Sequence, residues 1–273
     1  MSEFQRSLAK VLVHEGGFVH HAKDPGGATN QGVIQRTYDA FRDNLGVPRQ
    51  SVKLLSAQER DMIYRQRYWN LIKGDQLPAG VSYVVFDGAV NSGVSQSVKW
   101  LQRALGVKAD GVVGPATIAA AQNFGDHDLL IERIIERRFA FLKALKTWPT
   151  FGRGWTSRLN GVKAIGMAWA KGADAPQFIM SDAGNARALL SDARKPPSTA
   201  AGDTAAGAGG ISALIAQTQE QLTPYVEIGF VAKAAAILTI AGMIVAVGGL
   251  AYRLWAKRKA AKLADALDIG TEA

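Results

Sequence analysis

A glutamate, an aspartate and a threonine stand among glycines in the run VHEGGFVHHAKDPGGATNQG, residues 13–32, with three of the chain's four histidines. Four kinds of chemistry fit such a stretch. Glu15, followed by Gly16 and Gly17, suits a carboxylic acid that protonates a leaving oxygen. Asp24 can supply a second carboxylate, and the Thr29 hydroxyl can hold a water. Alternatively, His14, His20, His21 and Asp24 could converge on a metal. The Gly26-Gly27-Ala28-Thr29 run could cradle a phosphate, or Asp24-Pro25-Gly26-Gly27 could be only a polar turn.

Spacing separates these readings. No HExxH-type pattern is present, and the adjacent His20 and His21 project differently on most backbones, so no metal is expected. The glycine run lacks the lysine and the preceding apolar strand of a phosphate loop. A carboxylate-based cleavage keeps its parts. A semi-apolar setting at a helix end raises the pKa of Glu15 and keeps it protonated, and the bare glycines let a bulky polymer approach.

The rest of the 273-residue chain narrows the partners. It has no cysteine, which excludes disulfides, thiolate chemistry and cysteine-based zinc sites. The net charge of +9 favours a polyanion, an acidic membrane face or a carboxylate-rich polymer. Its basic residues are scattered and no recognition motif appears, so nucleic acid is not expected. No cofactor is called for.

Several elements must position the candidate residues. Residues 2–13 carry Phe4, Leu8, Val11 and Leu12 at helical spacing, which puts Glu15 near a helix end with Gly16 and Gly17 as the stop. A small sheet or hairpin fits residues 19–34. Ser56 to Glu59 has the capping-box pattern and opens a helix through Met62, Ile63 and Tyr68. Helices are expected over 81–90 and 95–105. Over 126–146 an amphipathic helix has Leu130, Ile131, Ile134, Ile135, Phe139 and Leu142 as its apolar stripe, with Glu132, Arg133, Glu136 and Arg137 on the wet face. Pro115 starts another helix after a turn at Asp110 and Gly111. Asn91-Ser92-Gly93 either contacts sugar N-acetyl and hydroxyl groups or simply ends a helix. Of Tyr64, Tyr68 and Trp69, two are expected in the core, leaving Tyr68 as the sugar-stacking candidate.

Composition shifts after Gly172. Residues 191–210, SDARKPPSTAAGDTAAGAGG, lack aromatics and read as a flexible tether. Residues 234–252, AAAILTIAGMIVAVGGLAY, contain no charge, and at about 1.5 Å per residue they match a ~30 Å hydrocarbon layer. The competing reading is a buried core helix. Lys233 precedes this run, while Arg253, Lys257, Arg258 and Lys259 follow it, which predicts a cytoplasmic C-terminus with the N-terminal bulk across the membrane. Residues 1–10 hold no apolar core of signal-peptide length.

The run HEGGFVHHAKDPGGATNQGV resembles the glycoside hydrolase family 108 muramidases, whose signature is Glu-Gly-Gly-aromatic followed by Asp-Pro-Gly-Gly-Ala-Thr-Asn and Gly. YRQRYWN (64–70) and VVFDGAVNSG (84–93) agree with it. WLQRALGVKADGVVGPAT (100–117) and FGRGWTSRLNGV (151–162) look like the predicted peptidoglycan-binding domain that accompanies this catalytic domain. The resemblance implies hydrolysis of the β-1,4 bond between N-acetylmuramic acid and N-acetylglucosamine. Glu15 matches the catalytic acid, and Asp24 and Thr29 resemble the partners in phage-type lysozymes. Their spacing is one residue shorter here, which makes Asn30 a neighbouring candidate. Gln31 stands where an aromatic is common and implies a retuned groove.

The expected architecture is mainly α. A lysozyme-like catalytic lobe (1–90) precedes a helical peptidoglycan-binding lobe (91–172), a flexible linker (173–227), one transmembrane helix (228–255) and a cytoplasmic tail (256–273). The expected sites are Glu15, Asp24 and Thr29 for catalysis and Asn30, Asn91, Ser92 and Tyr68 for substrate. The partners are peptidoglycan and, through the C-terminal helix, the bacterial inner membrane, in endolysin-type lysis. Whether the enzyme lobe crosses unaided, with a holin or by a secretion system stays open. Two competing functions are a non-catalytic wall-binding or secretion-accessory protein and a lytic transglycosylase.

Overall fold

The computed structural model describes residues 1–19, 27–176, 186–200, 203–204 and 229–269, in two compact units, Met1–Arg194 and Lys195–Ala273. Asp24, His20 and His21 lie outside the described residues, as does most of the expected linker.

The first unit is built from helices around one buried pillar. Helix α1 (Glu3–Leu12) opens with a reciprocal capping box between Ser2 and Gln5 and buries Phe4, Leu8 and Val11. A two-stranded antiparallel hairpin follows, β1 (Thr29–Asn30) and β2 (Val33–Ile34), with Val19 bridged to Thr29. Gln31 and Gly32, both at positive φ, form its tight turn. Then come α2 (Gln35–Asn44) and α3 (Ala57–Tyr64), the latter with the expected Ser56–Glu59 capping box. A π-helical turn over Arg65–Trp69 continues α3; its wider winding buries Trp69 and leaves Tyr68 half-exposed.

The pillar is α4 (Val81–Ser92), buried along its whole length, as an almost uniformly apolar helix must be. It packs against α1, α5 (Val94–Leu105), α7 (His127–Ala144) and α8 (Trp148–Ala170). Pro115 starts α6 (Pro115–Gln122). The approach of α4 to α8 is close. A Cβ on Gly166 of α8 would meet the Val84 side chain and the Gly80 carbonyl. The Glu3 carboxylate accepts from Gly80 N at 3.3 Å and from Ser82 Oγ at 3.0 Å, tying α1 to the start of the pillar.

Residues 186–194 belong to the first unit: Ala188 N donates to Asn91 O at 3.1 Å, and Lys146 N and Arg194 N pair with Asp192 O and Ala144 O. Trp155 Nε1 and Asn91 Nδ2 both donate to Ala186 O, at 2.8 and 3.0 Å. Small residues did not prevent order here, because backbone groups already exposed at the ends of α4 and α7 supply partners.

The second unit contains α9 (Gly229–Ala266), 38 residues long and extending ~57 Å at 1.5 Å per residue. Within it Ile240–Ala266 is long and apolar enough to cross a membrane, by length and composition. Ile244, Val247 and Leu250 on it are more than half exposed.

Candidate functional site

Glu15 sits just past the C-terminal turn of α1, its N–H donating to Leu12 O at 3.1 Å, and its side chain is half-buried. What surrounds it comes from the hairpin and from α3. A Cβ on Gly32 would collide with the Tyr64 hydroxyl and with a Glu15 carboxylate oxygen, so a bare backbone fills that corner. Tyr64, buried, donates its hydroxyl to Gln31 O at 3.0 Å and pins the turn. Arg187 Nη2 donates to Gly32 O at 3.2 Å from the far side, and Arg60 Nη1 reaches Gln31 Oε1 at 2.5 Å. Burial raises the Glu15 pKa above the ordinary carboxylate range, against the opposing fields of Arg158 and Arg187. Burial and then the nearby Glu15 push the Tyr64 phenol well up, so it stays a neutral donor.

Behind Glu15 lies a cluster of buried charges. Asp87, on α4, is fully buried and accepts from two guanidiniums. Arg158 of α8 reaches Oδ1 through Nε at 3.0 Å and Nη2 at 2.7 Å, and Arg138 of α7 reaches Oδ2 through Nη1 at 2.6 Å. Burial alone would raise the Asp87 pKa, but Arg158 and Arg138 overcome it and hold the carboxyl well below its usual range. His14, next to Glu15 in sequence, is also buried; burial first and Arg158 second lower its pKa to about 4. His14 is therefore a neutral part of this packing. The remaining ligands of the metal reading lie outside the described residues.

The other expected substrate residues are placed unequally. Tyr68 borders a cleft lined by Gly32, Ile34, Arg36, Arg67, Tyr68 and Arg187, among others. Thr29 is in β1, its backbone paired with Val19 at 2.8 Å in both directions, and its hydroxyl makes no hydrogen bond among the described residues. Asn30 is buried and directs its amide to Val52 O at 3.0 Å, clamping the hairpin to the 3-10 turn Val52–Leu54. Asn91 and Ser92 are buried too. The Asn91 carbonyl accepts from Arg138 Nη2 and from Ser92 Oγ, each at 3.3 Å, so these polar groups have protein partners. Their place is the interior end of α4, which corresponds to the helix-ending alternative for Asn91-Ser92-Gly93.

Sequence patterning passed over Asp87, Arg138 and Arg158 because charged residues read as solvent-facing. A signal was present. Arg138 falls on the apolar stripe of α7, four residues after Ile134 and three after Ile135, and Asp87 is the single charge in α4.

Residues 8–93 match the family model "Glycosyl hydrolase 108", and residues 96–160 match "Predicted Peptidoglycan domain". Eleven solved chains match, among them the structure of Brucella abortus SagA. It is 41% identical with a TM-score of 0.53, over 62% of this chain and 95% of that one. No curated protein matches.

Proposed function

The chain belongs to the glycosyl hydrolase 108 family and is a peptidoglycan-degrading glycosidase, and from that premise we propose that it is an N-acetylmuramidase cleaving the β-1,4 bond between N-acetylmuramic acid and N-acetylglucosamine. Glu15 is the general acid in this reading. The observation that carries it is the Glu15 carboxyl held half-buried against Gly32 and Tyr64, with burial raising its pKa, at the edge of a cleft. A carboxyl whose pKa is raised by burial holds its proton to higher pH and can give it to the glycosidic oxygen as the bond breaks. Asp24 stabilises the developing oxocarbenium charge or activates water, Thr29 holds the water, and Tyr68 stacks on a sugar ring. Asn30, Asn91 and Ser92 act from behind, holding the hairpin and the end of α4.

In this proposal α9 anchors the enzyme in the bacterial inner membrane with its basic end in the cytoplasm, keeping the first unit near the wall as in endolysin-type lysis. Mass spectrometry of digested peptidoglycan tests the chemistry. Hydrolysis leaves reducing-end muramic acid; 1,6-anhydro ends would make the enzyme a lytic transglycosylase. Glu15→Gln is expected to lower turnover by about a hundredfold or more, on the scale of general-acid catalysis. Undiminished release of reducing ends by that variant would remove Glu15 from the mechanism.

A further inference from the structure

The cleft beside Glu15 carries more positive charge than cleaving a neutral sugar linkage requires. Its walls include Arg36 from the first turn of α2, Arg67 from the π-helical turn and Arg187 from the segment folded back on the first unit. Among the described residues no aspartate or glutamate lines it. Arg187 gives one bond to Gly32 O at 3.2 Å, and Arg36 and Arg67 have no hydrogen bond or ion pair among the described residues. All three side chains are exposed. Elsewhere on this unit arginines are commonly paired: Arg42 with Glu59, Arg49 with Asp43, Arg60 with Asp61, Arg65 with Asp75. Arg187 is shared with the nearby Glu15 carboxyl, but Arg36 and Arg67 have no acidic partner among the described residues, so two guanidiniums on one concavity are open to an anion from outside.

The cleft adjoins the cleavage site, because Gly32 and Tyr64 line it and the Glu15 carboxylate and the Tyr64 hydroxyl converge on the same corner at Gly32. A sugar polymer reacting at Glu15 therefore passes these arginines. Peptidoglycan differs from neutral β-1,4 glycans such as chitin and cellulose in its carboxylates, which sit on the lactyl ether or on the stem peptide attached to it. The planar fork of arginine matches a carboxylate in two parallel hydrogen bonds. We propose that Arg36, Arg67 and Arg187 form a carboxylate-reading subsite that selects wall glycan by the acidic groups on its lactyl or stem-peptide moiety, with Tyr68 beside it for the sugar face. This rests on the placement of the scissile bond at Glu15.

Binding separates this inference from the catalytic reading. The full-length chain carrying Glu15→Gln, in mild detergent, is titrated by calorimetry with soluble glycan oligomers in three forms. One keeps its stem peptides, one is stripped of stems to free the lactyl carboxylates, and one has every carboxylate converted to an amide. The amidated oligomer is expected to bind at least about tenfold more weakly than the tighter of the two acidic forms, as loss of charge-assisted bonds implies. The acidic form that binds tighter identifies the source of the carboxylate. Adding Arg36→Gln and Arg67→Gln should bring both acidic forms down to the affinity of the amidated one. Equal affinity for amidated and acidic oligomers on the arginine-bearing chain would overturn the proposal without relying on any arginine variant. So would full affinity in the chain lacking both arginines. Failure of the Glu15-competent enzyme to release reducing-end muramic acid would count against the muramidase reading and leave these affinities as they stand.

Discussion

Replacing Asp87 by asparagine keeps the size of the side chain and removes the carboxylate that Arg138 and Arg158 share in the interior. The wild-type cluster holds two guanidiniums and one carboxylate, with both arginine side chains 1% exposed and the aspartate 0% exposed. The variant leaves both cations buried with a neutral amide where their shared carboxylate was, and Arg138 keeps its weaker bond to the Asn91 side-chain carbonyl. Breaking a buried ion pair by removing one partner costs about 3–5 kcal/mol, and with two cations stranded the upper end is expected. That is about two to three and a half decades in the folding equilibrium and a large share of the ~5–15 kcal/mol of a typical domain. Denaturant unfolding followed by tryptophan fluorescence measures it. Trp69 reports from the π-helical turn against Phe4 and Phe86, and Trp100 and Trp155 from α5 and α8. Because Asp87 lies in the segment matching the hydrolase model and both arginines in the peptidoglycan-domain segment, all probes should shift together. A second substitution, Arg138→Met, should cost less in the Asp87→Asn background than in the wild type, with a coupling of about 1 kcal/mol or more. A loss below about 1 kcal/mol for Asp87→Asn, additivity within ~0.5 kcal/mol, or separate transitions for the two tryptophan sets would refute the reasoning.

Other outcomes follow from the same contacts. The His14 pKa in the fold, about 4, lies below its ordinary 6.5, so its contribution to stability is present above pH ~6.5 and is lost as pH falls toward 4. The shift corresponds to about 3 kcal/mol, read as the difference in acid-induced destabilisation between wild type and His14→Gln; parallel pH curves would disprove it. Gly32→Ala forces a side chain into the left-handed region, at about 1–2 kcal/mol, and displaces the Glu15 carboxylate. Turnover on peptidoglycan should therefore fall by about tenfold or more, and wild-type turnover in a folded variant would contradict the packing. Arg187→Gln removes a positive charge that lowers the Glu15 pKa, so the alkaline limb of kcat should move to higher pH. A shift to lower pH would reverse the assigned sign.

Most of the helical framework was legible because periodicity and caps are local signals. The Ser56–Glu59 box, the Pro115 start and the stripe of α7 each depend on residues a few positions apart, and each element stands where those residues place it. Helix α8 was less legible, since its glycines weaken helical propensity while permitting close contact with α4 through Gly166. At the site, the position of Glu15 after an apolar helix was readable. Its neighbours were not, because Gly32, Tyr64, Arg158 and Arg187 approach it from as many as 172 positions away along the chain. Asn30, Asn91 and Ser92 carry groups suited to sugars, and only tertiary contacts reveal that protein partners already satisfy them.

The buried Asp87 cluster also limits how this protein can change by recombination. Its carboxylate and its two guanidiniums are encoded on opposite sides of the junction between residues 93 and 96, where the two family segments meet. A crossover at that junction that brought in a different C-terminal partner would leave an acid without its cations, or cations without their acid. The two segments are therefore expected to descend as a pair, and a new wall preference to arise by substitution around the cleft.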